Sequence, residues 1–342
     1  MLPTALLTYL IAFPDAVERS PEPQETIRGL KDAPYFQPVD IAVRSLPPAE
    51  VQIGDARVEV SRQRYDDRIQ MVECRFTLPD FLEPPAWEQR DAIEDALLKR
   101  FVPPTHFRNG LYEEYFVLSL QQVEGDPDGF IEAHATALAN FIRSQGEKLN
   151  PAEIENILSS RVYYSHHDLT LVDWEGAIIV APDGDFQSDI ELLKIGNYQL
   201  LRYRMLDQSV DDSLQEIASK FRDTPRRPLR IGPTRRQLRR IVQHRLELAL
   251  DFEHTDQNLL LIGDWYTSKL YPVIRDELYL DTWKAAVQGK LDNLEDILGT
   301  IRENFSLSWS ELMGQVELAG WLILLIGYFI LFFIDTGVIV NP

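Results

Sequence analysis

Runs of apolar residues in the first 125 positions predict strands with one helix among them. The run from Thr4 to Phe13 is apolar almost throughout and predicts a buried first strand. The stretches DARVEVSR, RIQMVECRFTL and EEYFVLSLQQV carry β-branched and aromatic residues with partial alternation, which is typical of strands. Apolar positions recur at helical spacing in PPAWEQRDAIEDALLKRF. This order predicts an α+β region with a mixed or antiparallel sheet.

The mixed pattern continues to about residue 185. Two short segments predict helices, and the second begins with Asn150 as a cap and Pro151 at the first helical position. The stretch DLTLVDWEGAIIVAPDGD has an apolar run on each side of Glu175 and Gly176, which predicts a hairpin. We therefore expect one α+β domain over residues 1–185.

The following residues predict a helical domain over 186–315, built as a long-helix bundle or hairpin. Ser188 and Glu191 have the spacing of a capping box, and a long helix is expected from there to about Phe221. In the last helix of this domain, apolar residues alternate steps of four and three, as in a coiled coil. This predicted self-association seam consists of Val287, Leu291, Leu294, Leu298, Ile301 and Phe305.

The end of the chain is the most apolar part of the sequence. No charged residue occurs from Leu318 to Ile334, and as a helix this segment would be apolar on every face. The pattern predicts a C-terminal transmembrane helix over 316–336, with Trp321 and Tyr328 as membrane anchors. Two alternatives are a buried core helix and a longer span that places Asp335 inside the membrane.

Charge and cysteine content narrow the class of protein. The chain has 342 residues and a net charge of −20, which disfavours nonspecific binding of nucleic acid. The single cysteine, Cys74, excludes an internal disulfide and a cysteine-based metal cluster, and its surroundings predict a buried strand position. No Lys or Arg precedes Arg19, so the N-terminus lacks the cationic region of a signal peptide. We expect a single-pass membrane protein with its bulk on the cytoplasmic side.

One segment reverses the acidic character of the chain. From Lys220 to Arg245 there are ten Lys or Arg residues and one acid, Asp223. They could pair with acids of the same or a neighbouring subunit, bind anionic lipid headgroups, or bind RNA. Aromatic residues are absent between the arginines, which weakens the case for single-stranded RNA. The candidate lipid or RNA contacts are Arg226, Arg227, Arg230, Arg235, Arg236, Arg239 and Arg240.

Three later stretches carry a family resemblance. DLTLVDWEGAIIVAP, ELLKIGNYQLLRYRMLDQSVDDSL and LLLIGDWYTSKLYPVIRDELYLDTWKAAVQGKLDNLEDIL, followed by the apolar end, resemble the "required for meiotic nuclear division" family over about residues 160–335. That family is a domain of unknown function. The resemblance implies membrane attachment and self-association, and it supplies no reaction and no active-site residues.

Residues with catalytic or metal-binding potential form no recognised motif. In SHHD, the adjacent His166 and His167 would point to opposite sides of a strand, so they are poorly placed to share one metal ion. We expect no cofactor, metal or catalytic residue, and we interpret the protein as a membrane-anchored scaffold that contacts the lipid bilayer and self-associates. One alternative is an enzyme with its cleft between the α+β and helical parts, and a deep pocket lined by acids and by His166 or His167 would favour it. The other alternative is a translation-linked RNA-binding adaptor.

Overall fold

A computed structural model of the protein describes residues 5–15, 25–27, 39–146, 148–222 and 267–335, together with positions 243, 246, 249 and 250. Nine strands lie in these ranges: Ala5–Pro14 (β1), Glu25–Ile27 (β2), Val39–Ile53 (β3), Ala56–Tyr65 (β4), Ile69–Leu78 (β5), Glu113–Leu120 (β6), Arg161–Val162 (β7), Leu169–Val172 (β8) and Gly176–Val180 (β9).

Helices account for most of the remaining described chain. They are Pro84–Phe101 (α1), Pro104–Asn109 (α2), Pro127–Ala133 (α3), Ala135–Ile142 (α4), Pro151–Ile157 (α5), Gln187–Arg222 (α6), Thr267–Glu277 (α7) and Leu280–Asp335 (α8). Pro residues occupy the first helical turn of α1, α2, α3 and α5, where the missing N–H costs no hydrogen bond.

The described strands form one mixed sheet in the order β2-β3-β4-β5-β1-β6-β9-β8-β7. β1 lies in its interior and pairs antiparallel with both β5 and β6. This position explains its nearly continuous apolar sequence, because both faces of the strand are covered. β6 and β9 pair in parallel, whereas the other described pairs are antiparallel. The predicted mixed sheet, the predicted first strand and the predicted hairpin, formed by β8 and β9, are confirmed.

Helices cover both faces of the sheet. On one face, the core joins alternate residues of β1, β5 and β6 to α1 and to the short helices α3–α5, and it includes Cys74 as predicted. On the other face, α6 is tied to the sheet by the ion pair of Lys194 with Glu73 and by the hydrogen bond of the Tyr198 hydroxyl to Asp66. Two layers of helices therefore enclose the sheet.

The described contacts divide the chain into two compact units. Unit 1 comprises residues 1–208 and 250–287, and unit 2 comprises residues 209–249 and 288–342. The sheet, the helices α1–α5 and the part of α6 up to Gln208 belong to unit 1. In unit 2, the Lys290 ammonium lies 2.9 Å from the Asp211 carboxylate and links α8 to α6. The three-part division expected from the sequence stays a prediction.

The structure corrects the membrane assignment. Within the residues it describes, no helix has both the length and the apolar character needed to cross a membrane. The predicted transmembrane helix and the single-pass C-terminal anchor are therefore wrong. Trp321 and Tyr328 are exposed side chains of α8. Their assignment as membrane anchors is wrong because it depended on the predicted transmembrane helix.

Candidate functional site

The amino end of β6 lies beside a gap in the sheet. β6 pairs with β1 from Glu113 onward, but its pairing with β9 begins only at Phe116, opposite Gly176. Before Gly176 the chain turns away toward β8 instead of continuing along β6. The residues at the start of β6 consequently have a strand neighbour on one side and an opening on the other.

A cavity of about 600 Å³ occupies this position, and all of its lining residues belong to unit 1. Its walls come from β1, α1, the loop between α2 and β6, β6, the end of α4, the turn between β8 and β9, α6 and the residue after α7. The charged and aromatic side chains that line it are Tyr9, Arg90, Asp91, Glu94, Asp95, Tyr112, Glu113, Glu114, Tyr115, Phe116, Trp174, Glu175 and Arg204.

Glu94 projects from α1 into the wall of this cavity. One carboxylate oxygen lies 3.4 Å from the Arg90 guanidinium. The other oxygen, Oε1, is buried and has no hydrogen-bond partner among the described residues. Burial raises the pKa of Glu94 to about 8, Arg90 opposes the rise, and Asp91 and Glu114 add to it. Glu94 is therefore mainly a neutral carboxyl at neutral pH.

Arg90 is almost completely enclosed, with 2% of its side chain exposed. Its guanidinium donates a hydrogen bond to the carbonyl of Phe141 and lies 3.1 Å from Asp91. The same group stacks over the rings of Phe116 and Phe141, at 4.2 and 4.6 Å from their centroids. This burial fixes Arg90 as part of the wall and places a cation against an aromatic face.

Glu113 and Arg204 form a second charged contact at the start of β6. The Arg204 guanidinium donates to the Glu113 carboxylate and to the carbonyls of Gly110 and Tyr112. Burial nevertheless raises the pKa of Glu113 to about 7, with Arg204 opposing the rise and Glu114 adding to it. Glu113 therefore gains and loses its proton close to neutral pH.

Glu114 faces the opposite side of the sheet and accepts a hydrogen bond from the Tyr9 hydroxyl of the neighbouring strand. Burial is the main cause of the raised pKa of Tyr9, and the charges of Glu114 and Glu94 raise it further. The phenol consequently remains a hydrogen-bond donor over the physiological pH range. Tyr9, Glu94 and Glu114 form one electrostatically connected group at the cavity.

The turn between β8 and β9 forms the rim of the cavity and is held from two sides. The Arg143 guanidinium lies 3.1 Å from Asp173 and 3.3 Å from Glu175, and the Tyr115 hydroxyl donates a 2.8 Å hydrogen bond to the Asp173 carbonyl. Burial raises the pKa values of both acids, and Arg143 opposes the rise. These contacts hold Trp174 between them.

Trp174 presents an exposed aromatic ring at this rim. Its ring centroid lies 5.6 Å from that of Tyr279, which follows α7 and adopts a left-handed backbone conformation. The two side chains are 40% and 59% exposed. An indole that is held in place and open to solvent is suited to contact a ligand.

The histidine cluster lies away from the acid-lined cavity. His166 and His167 are exposed in a loop that Asp168 closes by accepting hydrogen bonds from the N–H groups of Tyr164 and Ser165. The two histidines border a separate, open depression with Asp128. Among the described residues, no group of three or more His, Cys, Asp or Glu side chains is placed to hold a metal ion.

The other predicted interaction residues are described only in part. Val287, Leu291 and Leu294 of the predicted seam are buried within the chain, and the side chains of Leu298, Ile301 and Phe305 lie outside the described residues. All seven arginines of the predicted lipid or RNA contact also lie outside them: Arg226, Arg227, Arg230, Arg235, Arg236, Arg239 and Arg240. The roles of seam and arginines stay predictions.

Sequence reasoning missed the residues of the cavity, although α1 carried a signal. Arg90, Ile93, Glu94 and Leu97 recur at the spacing of one helical face, so two charged residues share a face with two apolar ones. Charged side chains on a buried helical face require partners; Arg90 has them in Asp91 and the Phe141 carbonyl, whereas Glu94 Oε1 has none among the described residues. The pair Glu113-Glu114 at the start of an apolar strand was a weaker signal of the same kind.

Comparison with known proteins replaces the resemblance inferred from the sequence. A family model described as "Uncharacterized protein MJ0711, N-terminal domain" matches residues 15–187. The archaeal "Uncharacterized protein MJ0711" of Methanocaldococcus jannaschii is 25% identical over 181 residues, which cover 53% of this chain and 55% of the relative. The chain thus spans just over half the length of that relative. No solved structure matches.

The matched region contains Arg90, Glu94, Glu113, Glu114 and Trp174, but not the strand and helix residues contributed by β1 and α6. Nothing in these matches links the chain to the meiotic nuclear division family, so that assignment is wrong. The stretches that suggested it are apolar strand and helix patterns, which unrelated folds share. Because the family model matches residues 15–187, which are half of the sequence, this chain belongs to the family of the MJ0711 N-terminal domain.

Proposed function

We propose that unit 1 binds a small polar molecule in the acid-lined cavity and exchanges protons with it. The observation that carries this proposal is Glu94, whose Oε1 is buried at the cavity wall without a hydrogen-bond partner in the described structure. A buried carboxyl oxygen without a hydrogen-bond partner costs free energy. A ligand that supplied the missing hydrogen bond would recover part of that cost.

The proton chemistry follows from the two unusual carboxyls. Glu94, with its pKa raised to about 8, can donate a proton at neutral pH, and Glu113, with its pKa raised to about 7, can donate or accept one. Groups that titrate near the working pH are effective general acids and bases. Two such carboxyls beside one cavity therefore support acid–base catalysis as well as binding.

A thermal-shift screen tests this proposal without knowledge of the natural ligand. The panel would contain small amines, carboxylates, sugars and nucleosides, added to the full chain at millimolar concentration. We expect at least one class to raise the melting temperature of the wild-type protein and of Glu83→Gln, an exposed position before α1. The shift should disappear in Glu94→Gln. If no class stabilises the wild type, or if Glu94→Gln responds equally, the proposal fails.

A second candidate function, self-association as a scaffold, rests on unit 2. Exposed large apolar side chains occupy α8 at 318–332, and an exposed apolar surface of this extent is typical of an interaction site. We propose a second copy of the chain as the occupant, because the same exposed apolar stretch of α8 in that copy has the matching chemistry to cover it across a two-fold axis.

Light scattering during gel filtration of the full chain tests self-association. We expect a multiple of the 39.5 kDa chain mass, and a smaller species for the double variant Leu324→Asp and Leu331→Asp, whose two positions are seven residues apart on one helical face. Gly320→Ala is the control, because a Cβ there meets no atom within 4 Å. A monomeric wild type contradicts the scaffold function.

A further inference from the structure

We propose that the ligand of the acid-lined cavity is a small organic cation with an ammonium group, which lies between Glu94 and the ring of Trp174. This inference rests on the proposed binding function of the cavity and adds the chemical class of the ligand. It is carried by three properties of the site: its charge, its aromatic walls and the buried Glu94 oxygen that lacks a hydrogen-bond partner among the described residues.

Acids outnumber bases in the lining. The lining contains two arginines, Arg90 and Arg204, and six acids. The acids are Asp91, Glu94, Asp95, Glu113, Glu114 and Glu175. Both arginines already make contacts within the protein: Arg90 with Asp91, Glu94 and the Phe141 carbonyl, and Arg204 with Glu113 and two backbone carbonyls. An anionic ligand would have to displace these contacts. Asp95 and Glu175 are likewise paired with Lys99 and Arg143, but Glu94 Oε1 has no partner among the described residues, so a cationic ligand would meet one acceptor without displacing a contact.

The aromatic residues favour the same sign of charge. Tyr9, Tyr112, Tyr115, Phe116 and Trp174 line the cavity, and the face of an aromatic ring attracts a cation. The protein already uses this attraction, because the Arg90 guanidinium lies 4.2 Å from the Phe116 centroid. Trp174, held at the rim and 40% exposed, is open to an equivalent contact from a ligand.

Glu94 supplies the specific contact. Its Oε1 is buried at the wall and lacks a hydrogen-bond partner in the described structure, whereas its other oxygen faces Arg90 at 3.4 Å. The groups that act on Glu94 are Arg90 and Asp91 of its own helix and Glu114 and Tyr9 of the adjacent strands. An ammonium group at Oε1 would stabilise the ionised carboxyl, so binding should release a proton from Glu94.

The experiment uses three probes with one four-carbon stem: butylamine, butanol and butyrate, which at pH 7 carry a positive, a zero and a negative charge. Isothermal titration of the full chain should give at least tenfold tighter binding of butylamine than of either other probe. Titration in two buffers with different ionisation enthalpies should show proton release on binding.

Two site variants and one control separate the possible results. Glu94→Gln keeps the shape of the neutral carboxyl and should weaken butylamine binding at least tenfold and abolish proton release. Trp174→Leu should also weaken it, and Glu83→Gln should bind as the wild type does. Butylamine binding no tighter than butanol binding overturns the cation assignment. If another class of compound still stabilises the protein in the thermal-shift screen, the proposed binding function is retained without the cation assignment. If no class of compound stabilises it, the binding function and the cation assignment are both contradicted.

Discussion

The Tyr115 hydroxyl donates a hydrogen bond of 2.8 Å to the backbone carbonyl of Asp173, 58 residues later in the chain. This contact joins the start of β6 to the turn between β8 and β9. At this point β6 and β9 are not paired, because their pairing begins only at Phe116. It therefore spans the gap in the sheet beside which the cavity lies. The position of Trp174 depends on this contact and on the ion pairs of Arg143 with Asp173 and Glu175.

Tyr115→Phe should lower the free energy of unfolding by about 1–2 kcal/mol, because it leaves the carbonyl of Asp173 without this donor in a buried setting. Urea unfolding followed by circular dichroism measures the change. Tyr279→Phe removes a hydroxyl from an exposed ring of the same region and should change stability by less than about 0.5 kcal/mol. Equal effects of the two substitutions would remove the hydrogen bond from the explanation of how the turn is held.

Gly176→Ala should be strongly destabilising, because a Cβ at this position would lie 2.2 Å from a ring carbon of Phe116. The ring cannot move away easily, since it packs against Phe141 and beneath the Arg90 guanidinium. We expect a loss of about 2 kcal/mol or more, measured by urea unfolding. Gly289→Ala makes the same chemical change in α8, where no atom lies within 4 Å, and should stabilise the helix by up to about 1 kcal/mol. An increase in stability for both variants would contradict the close packing at Gly176.

Glu94 should make the protein less stable as pH rises above about 5. The unfolded chain releases this proton near the ordinary value of 4.5, whereas the folded protein holds it up to a pKa of about 8. The folded state therefore binds more protons between these values, and the free energy of unfolding contributed by Glu94 falls across that window. Glu113, with a pKa raised to about 7, acts in the same direction.

Unfolding midpoints in urea at pH 5, 6, 7 and 8 measure this dependence. Glu94→Gln should flatten the fall by up to about 1.4 kcal/mol per pH unit, because its amide does not titrate. Glu83→Gln, at an exposed position, should keep the wild-type slope. Parallel slopes for Glu94→Gln and the wild type would show that Glu94 does not hold its proton in the folded protein.

Local patterns in the sequence predicted the strands and α1, but they did not predict the cavity. Period and composition report whether a segment is buried, and they located β1 and the β8–β9 hairpin. The cavity arises because β6 pairs in parallel with a strand more than fifty residues later and only from Phe116 onward. A pairing of this kind leaves no local trace in the sequence. The spacing of Arg90 and Glu94 on α1 could have indicated buried charge, but not which groups would surround it.

Lys194 and Glu73 give a test of the other face of the sheet. Lys194 is a buried residue of α6 that pairs with Glu73 of β5 and lies 2.8 Å from Glu191. Burial alone would raise the pKa of Glu73, but Lys194 and Arg75 outweigh it, so the pKa is lowered. Lys194→Met should cost about 3–5 kcal/mol, because it leaves the buried Glu73 without its main partner.

A double-mutant cycle measures the coupling of this pair. Combining Lys194→Met with Glu73→Leu should recover much of the stability that Lys194→Met alone loses, since the uncompensated charge is then removed. Arg57→Met is a matched control, because Arg57 makes an exposed ion pair with Glu50 that water screens, so its loss should change stability far less than the loss of the buried pair. Simple additivity of the two buried substitutions would contradict the pairing between α6 and the sheet.

Leu294→Asp should destabilise unit 2 through the packing of α8. Leu294 is 1% exposed, so the substitution would place an unpaired carboxylate in an apolar environment and also remove a buried side chain. Ile297→Asp makes a similar change three residues later on the same helix, at a side chain that is 40% exposed, and should cost much less. Hydrogen exchange of the full chain localises the effect, and we expect the amides of α8 near Leu294 to lose protection by about 3 kcal/mol or more while those of β1 do not.

The predicted self-association seam is tested on the same two proteins by light scattering. A smaller species for Leu294→Asp but not for Ile297→Asp supports the seam, whereas an unchanged mass with lost protection assigns Leu294 to packing within one chain. Equal protection in both variants would contradict its burial.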